Sequence, residues 1–192
     1  LLGLYYLKKE KGRVLIDIRT SRSTVEYLES LGAEVHVWKV GHAFAKNKLR
    51  ELGAIFGGEL AGHYYFRDFF NCDSGILASL LVLQAVKMLK AEGQTIGSFI
   101  DSIVRWANSG EVNFTLSEKD GAMTALYERY VKNDSPTLVM DFDGYRVEFK
   151  DWWFNVRKSN TEPYLRLVVE AATQALLDEK LADLSTIITR FS

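Results

Sequence analysis

Along the first half of the chain, short apolar runs alternate with longer segments whose apolar residues recur at helical spacing. Residues 4–10 read as the end of a helix, stopped by Gly12. Val14-Leu15-Ile16-Asp17-Ile18 is an apolar run of buried-strand length. Ser23-Thr24-Val25-Glu26 matches a capping box, in which hydroxyl and carboxylate each take an orphan backbone N–H. A helix is therefore expected to start there and to end at Gly32. Residues 34–38 alternate and read as a second strand, and residues 44–52 as a helix with basic residues. Ala54-Ile55-Phe56 predicts a short strand running into Gly57-Gly58, and residues 63–66 predict another. Residues 74–91 and 96–106 read as two helices. Strands alternating with helices predict an α/β sandwich domain with a mainly parallel sheet.

Ala107-Asn108-Ser109-Gly110 is small and polar and reads as a linker. Beyond it the pattern changes. A strand is expected at residues 112–116 and a helix at 120–131. Closely spaced strands follow at 137–141, 145–149, 152–157 and 164–170, then a helix at 173–190. Asp143-Gly144 is a turn signal between the first two of these strands. Clustered strands with helices at the ends predict an α+β domain with an antiparallel sheet and flanking helices. The expected division is residues 1–106 and 107–192, with relative motion of the domains about residues 107–110.

Composition narrows the function classes. A formal net charge of -1 gives no electrostatic case for nucleic acid or an anionic membrane as partner. The longest apolar stretch, near residues 76–88, is interrupted by Ser79, Gln84 and Lys87 and is too short to span a bilayer. A single cysteine, Cys72, permits no internal disulfide and suits a reducing, cytoplasmic setting. It lacks an adjacent cation or base, which favours a packed thiol over a nucleophile. The chain opens Leu1-Leu2-Gly3, with no initiator Met and no signal-peptide pattern, and reads as a cut inside a longer protein.

Two segments crowd polar chemistry. In Gly57-Gly58-Glu59-Leu60-Ala61-Gly62-His63, the glycines let a ligand approach the backbone closely. Glu59 can accept two hydrogen bonds from vicinal hydroxyls, and His63 can donate or accept; the alternative is a plain turn with a solvated carboxylate. Two such ligands without a third make a weak metal site. In Arg157-Lys158-Ser159-Asn160-Thr161-Glu162-Pro163, a guanidinium fork, two hydroxyls and an amide suit a phosphate. Arg166 on the next strand could add a second guanidinium; the alternative is a polar hairpin with a surface arginine. His42 and Lys46 sit at a helix start, where the dipole favours an anion, or they cap and solvate the helix. Arg19, just past the first strand, points to the same rim or is an ordinary exposed arginine. Asp141-Phe142-Asp143-Gly144 reads as a turn before a D-x-D metal motif, and Trp152-Trp153 as sheet packing. Hydroxyl recognition joined to phosphate recognition describes a sugar phosphate.

The run from Val40 to Phe66, with GHAFAKNKLR and GGELAGHYYF, closely resembles the third domain of the α-D-phosphohexomutases. RKSNTEPYLR resembles the phosphate-binding loop of their fourth domain, and the resemblance spans essentially all of the chain. It implies an α/β/α sandwich followed by an antiparallel sheet with helices, the last two of four domains. It further implies an enzyme moving phosphate between positions 1 and 6 of a hexose, through a phosphoserine, a bisphosphorylated sugar and Mg²⁺. Neither the serine loop nor the D-x-D-x-D-R metal loop occurs in this sequence, so this chain alone is expected to be inactive and to hold no cofactor. The implied partners are hexose phosphates and N-terminal domains of the same polypeptide. By the same resemblance Glu59 and His63 match the sugar-binding loop, and Arg19 and His42 match rim positions near the substrate. Arg157, Ser159, Asn160 and Thr161 match the loop gripping the non-reacting phosphate, and Arg166 a frequent family arginine. The family's sugar loop carries a serine where this chain has Ala61, which removes a hydroxyl contact. Leu60 and the Ser-Asn-Thr-Glu-Pro wording lie closer to the mannose and glucose mutases than to the phosphoglucosamine mutases. The competing reading is a stand-alone phosphosugar-binding module with no catalytic role.

Overall fold

The apolar run after Gly12 forms strand β1 (Arg13–Asp17) in the computed structural model, which describes residues 1–159 and 162–192. Contacts divide the chain into two units, Leu1–Arg105 and Trp106–Ser192. In the first, β1 pairs in parallel with β2 (Glu34–Trp38) on one side and β3 (Phe56–Gly58) on the other. β4 (Tyr64–Phe66) then runs antiparallel to β3, and β5 (Cys72–Asp73) antiparallel to β4. The sheet order is β2-β1-β3-β4-β5. It is a mixed sheet, because the loop after β3 is too short for a crossover helix and must reverse the chain.

Both faces of this sheet are covered, so β1 reads as a continuous apolar run. Leu15 and Tyr65 face helix α3 (His42–Leu52), packing with its Ala45 and Leu49. Val14, Ile16, Phe56 and Phe66 face the other way. There they meet α1 (Leu2–Leu7), α2 (Arg22–Ser30) and α4 (Gly75–Ala91) through Leu2, Leu7, Leu28, Ala78 and Leu81. Each buried aliphatic or aromatic side chain contributes about 1.5–3 kcal/mol. A short helix α5 (Ile96–Ile103), capped by Thr95, closes the unit through Phe99. Helix α2 is capped two residues earlier than its sequence predicts. Ser21 Oγ accepts from Ser23 N at 3.1 Å. The Ser23 hydroxyl is buried and accepts instead from Arg105 N at 3.0 Å, far along the chain.

The second unit is an antiparallel sheet in the order β6-β10-β9-β8-β7. Its strands are β6 (Ala107–Thr115), β7 (Leu138–Met140), β8 (Tyr145–Glu148), β9 (Trp152–Lys158) and β10 (Tyr164–Ala171). Helices α6 (Lys119–Tyr127), extended by a π-helical turn Glu128–Lys132, and α7 (Gln174–Ile188) supply the helical layer. The core joins Trp152, Phe154 and Val156 of β9 and Leu165, Leu167 and Val169 of β10 to Leu126, Leu177, Leu184 and Ile188.

The residues expected to form a linker lie in a strand. Ala107 pairs with Ala171 and Asn108 with Glu170, and the register then shifts between Val168 and Glu170. This is a β-bulge, which small polar residues accommodate. Gly110 takes φ 65°, Asn108 Oδ1 accepts from Gly110 N at 2.7 Å, and Ser109 Oγ accepts from Val169 N at 2.9 Å. Those same residues read as loop in sequence because bulges and loops share a composition. Residues 107–110 thus lie in a strand at a bulge and not in a free linker.

The alternate residues of β9, Trp153, Asn155 and Arg157, are also buried, on a face of polar character. Trp153 Nε1 donates to Glu170 at 2.6 Å, and Asn108 Nδ2 donates to the other oxygen of that carboxylate at 3.2 Å. The Arg146 guanidinium lies 3.8 Å from the Trp153 ring centre and donates to Glu148 at 2.7 Å. No helix of the described residues is long and apolar enough to cross a membrane.

Candidate functional site

Strand β3 ends beside β1 at the carboxyl edge of the parallel strands, where α/β sheets collect ligands. Residues 57–63 turn the chain there into β4. Gly57 is required by packing, because a Cβ would lie 2.9 Å from the Leu49 side chain and 3.0 Å from the Leu15 carbonyl. The turn closes on itself, with Glu59 N donating to the His63 carbonyl at 2.9 Å and Gly62 N to the Glu59 carbonyl at 3.0 Å. Gly62 takes φ 84° there, a conformation costly for any residue with a Cβ.

Three side chains from neighbouring strands hold this turn. Asp17, the last residue of β1, is 2% exposed, and its Oδ2 accepts from Leu60 N at 2.9 Å. The same carboxylate accepts from Arg19 N at 2.8 Å and from the Arg19 guanidinium at 2.6 and 3.2 Å. Tyr65 of β4 donates from Oη to Glu59 Oε1 at 2.6 Å. Burial first, and then that carboxylate, push the Tyr65 phenol well above its usual range. Asp73 of β5 meets His63 Nδ1 at 2.6 Å and accepts from Tyr64 N at 2.9 Å.

Glu59 is 8% exposed, and Tyr65 holds only one of its two oxygens. Among the described residues Oε2 has no protein partner. The residue borders a narrow cleft lined by Asp17, Trp38, Lys39 and Tyr65. It also borders an open groove of about 400 Å³ with Thr20, Ser21 and Thr24 on its wall. His63 is exposed, with Nδ1 taken by Asp73 and Nε2 left toward solvent. His42 is exposed and opens α3, after Gly41 at φ 126°. Lys39 and Lys48 lie 5.7 and 4.4 Å from the Trp38 ring centre, adding positive charge to that edge.

Arg19 follows β1 at the edge where its sequence places it, but it is not an exposed arginine. It is 4% exposed and folded back onto Asp17, a partner two residues away that supplies both a carboxylate and the turn acceptor.

In the second unit, Arg157 stands near the end of a strand, as its sequence reads, but is buried there. It lies within β9, is 3% exposed, and donates from Nε to Asp143 Oδ1 at 3.4 Å. Arg166 stands directly opposite it in the β9–β10 register. Arg166 is bound to Glu111 at 2.8 Å and to Glu162, and its own Nε is buried without a hydrogen-bond partner among the described residues. Ser159 N donates to the Tyr164 carbonyl at 2.9 Å, and Ser159 Oγ accepts from Glu162 N at 3.2 Å. Asn160 and Thr161 lie outside the described residues.

Sequence reasoning thus singled out Glu59 and His63 and missed the three residues that orient their loop. Asp17 carried a readable signal, an acid closing an apolar strand at the ligand edge of an α/β sheet. Asp73 and Tyr65 carried none, since their role depends on which strands become neighbours.

Residues 1–105 match the family model for the phosphoglucomutase/phosphomannomutase alpha/beta/alpha domain III. Residues 111–186 match the C-terminal domain of the same proteins. Phosphomannomutase of Vibrio cholerae is 36% identical over 193 residues, covering 99% of this chain and 41% of that protein. Phosphomannomutase of Escherichia coli strain K12 is 37% identical over 174 residues, covering 89% of this chain and 37% of that protein. The crystal structure of a phosphoglucomutase/phosphomannomutase family protein from Burkholderia thailandensis superposes with a TM-score of 0.77 at 26% identity. That superposition covers 98% of this chain and 40% of the other. The chain therefore spans about 40% of the length of the relatives it matches.

Proposed function

Since the chain belongs to the phosphoglucomutase/phosphomannomutase family, we propose that it is the substrate-binding portion of a cytoplasmic phosphohexomutase. The reaction is interconversion of hexose 1- and 6-phosphates by intramolecular phosphoryl transfer through a bisphosphorylated sugar. The observation that carries this reading is the half-occupied carboxylate of Glu59, gripped by Tyr65 at one oxygen and unpartnered at the other. A carboxylate so placed accepts from sugar hydroxyls without first losing a protein bond. His63, with Nδ1 on Asp73, offers Nε2 to a hydroxyl of the same sugar. Arg157 and Ser159 supply the guanidinium and hydroxyl for the phosphate that does not react.

Among the described residues no three His, Cys, Asp or Glu side chains converge to hold a metal ion. These residues do not fit the family's magnesium, and the chemistry proposed for this chain rests on side chains alone. The phosphoryl donor and the metal loop belong, in this reading, to other parts of a longer polypeptide. The 192-residue chain by itself is accordingly expected to convert neither mannose 6-phosphate nor glucose 1-phosphate. Family membership favours this reading over a stand-alone binding module.

The test is an amide-resolved NMR titration of the chain with glucose 1,6-bisphosphate. Shifts should concentrate at residues 57–63 and at Ser159 and Glu162. A ligand that leaves both regions unmoved, at concentrations that saturate a family member, would overturn the reading.

A further inference from the structure

We propose that Tyr65 and Asp17 are positioning residues that together fix the direction of the Glu59 carboxylate, and so decide which sugar hydroxyls it can read. The second clause rests on the functional reading above; the first stands on geometry alone.

The sheet order supplies the argument. β3 lies between β1 and β4. It runs directly into Glu59, a residue with a flexible side chain on a turn, the least favourable combination for holding a direction. Each of its two neighbours sends one side chain to that turn. From β4, Tyr65 reaches Glu59 Oε1 at 2.6 Å. From β1, Asp17 reaches Leu60 N at 2.9 Å, the far side of the peptide that follows Glu59. One contact fixes the carboxylate, and the other fixes the backbone from which it springs.

Both anchors are rigid. The Tyr65 residue is 1% exposed and packed with Leu15, Ala45, Leu49 and Ala54, so its hydroxyl cannot follow a moving partner. Asp17 is held by the Arg19 amide and by its guanidinium, which neutralises it. Of the groups facing Glu59, the phenol is the one that occupies an oxygen, which leaves Oε2 as the reading atom. A carboxylate bound through Oε1 to an immobile donor presents Oε2 along one line. Without the hydroxyl, the Glu59 side chain is free to sample further staggered rotamers about its inner torsions, which spreads that direction.

Asp17 also cannot be replaced by its amide without loss. Asparagine offers one acceptor oxygen. It can serve the Arg19 amide or the Leu60 amide, which use different oxygens of Asp17.

The experiment uses the 192-residue chain and the variants Tyr65→Phe and Asp17→Asn, with mannose 6-phosphate and inorganic phosphate as probes. Tyr65→Phe removes one atom from a packed ring and keeps the fold. Without ligand, the Glu59 side-chain scalar couplings should change from single-rotamer values to averaged ones in Tyr65→Phe. The Leu60 amide should exchange faster in Asp17→Asn. With ligand, Tyr65→Phe should weaken mannose 6-phosphate roughly tenfold, the cost of ordering on binding a side chain no longer held in advance, and leave inorganic phosphate unchanged. Unaltered Glu59 couplings in Tyr65→Phe overturn the positioning role, whatever the ligand does. Averaged couplings with unaltered mannose 6-phosphate affinity overturn its consequence for sugar reading. A wild-type chain whose residues 57–63 ignore mannose 6-phosphate overturns the functional reading, while the couplings still decide the positioning. Should Asp17→Asn fail to fold, Tyr65→Phe decides alone.

Discussion

Around residues 57–63 the anchors come from neighbouring strands and the ligand-facing atoms are left open. Asp17, Tyr65 and Asp73 hold the turn from β1, β4 and β5, and Glu59 keeps a free oxygen. Near residue 157 the arrangement is reversed. The groups suited to a ligand are themselves the anchored ones, Arg157 by Asp143 and Arg166 by Glu111 and Glu162. The first loop is organised before any ligand arrives. In the proposed reading the second surrenders contacts to bind one. Organisation in advance favours discrimination between closely similar sugars, whereas exchange of partners favours capture and release of a common anion.

The strongest attack on the second loop is through its turn. Gly144 has φ 66°, and a Cβ there would lie 2.1 Å from the Val156 carbonyl and 2.8 Å from Arg157. Gly144→Ala should destabilise the second unit by about 3 kcal/mol, combining left-handed strain with a backbone clash. Denaturant unfolding followed by a second-unit tryptophan would measure it. An unchanged midpoint would show that the β7–β8 turn moves freely and does not brace Arg157.

Arg157→Ala comes next. It should weaken glucose 1,6-bisphosphate binding by roughly 1.5–3 kcal/mol, the worth of a charge-assisted hydrogen bond. The residue is buried, so stability should also fall by about 2 kcal/mol as packing is lost and Asp143 loses a partner. Calorimetric titration beside a melting curve separates the two. Lost stability with unchanged affinity would make Arg157 a scaffold residue and erase the contrast between the loops.

Alkaline pH probes the first loop's anchor. Burial and Glu59 raise Tyr65, and burial pushes Tyr130 of the second unit up to about 12. A raised folded value means the neutral phenol stabilises fully below the unfolded value of about 10 and less as pH rises through the folded one. Unfolding free energy should therefore fall above pH 10 in the wild type, and less steeply in Tyr65→Phe. Equal slopes would show that the Tyr65–Glu59 contact is not held in solution.

The smallest effect is expected at Ala61, exposed on the first turn. In a full-length protein containing this chain, Ala61→Ser should improve sugar handling by about 0.5–1 kcal/mol if a hydroxyl contact is regained. The ratio of kcat/KM for mannose and glucose phosphates is the readout, and no change in it would place residue 61 away from the sugar.

The layering of both units was legible because β1, α4 and the strands after residue 137 keep their apolar periods. The Asp143-Gly144 turn was legible because its residue types have few other uses. Residues 107–110 were not, since a bulge needs the same small polar residues as a linker and only the partner strand distinguishes them. The burial of Arg19 and Arg157 was not legible for a shared reason. A charge in sequence reads as solvent-facing, yet each is buried against a carboxylate, one two residues away and one across a turn. Glu59 and His63 stand out in the sequence by residue type, while the side chains that hold their turn follow from strand order and were invisible in sequence.

The register that sets Arg157 opposite Arg166 has a consequence for selectivity. Two like charges facing each other across adjacent strands repel unless resident anions sit between or beside them. Here Asp143, Glu111 and Glu162 are those residents. In the proposed reading, the pair would work as an ion exchanger whose counterions are tethered to the chain. A monoanion brings no more charge than the carboxylate it would displace and gains little. A phosphate dianion brings more charge and more acceptor atoms, including one for the unpartnered Arg166 Nε. In that reading, discrimination against small monovalent anions would follow from the occupants already in place, before the shape of any pocket is considered.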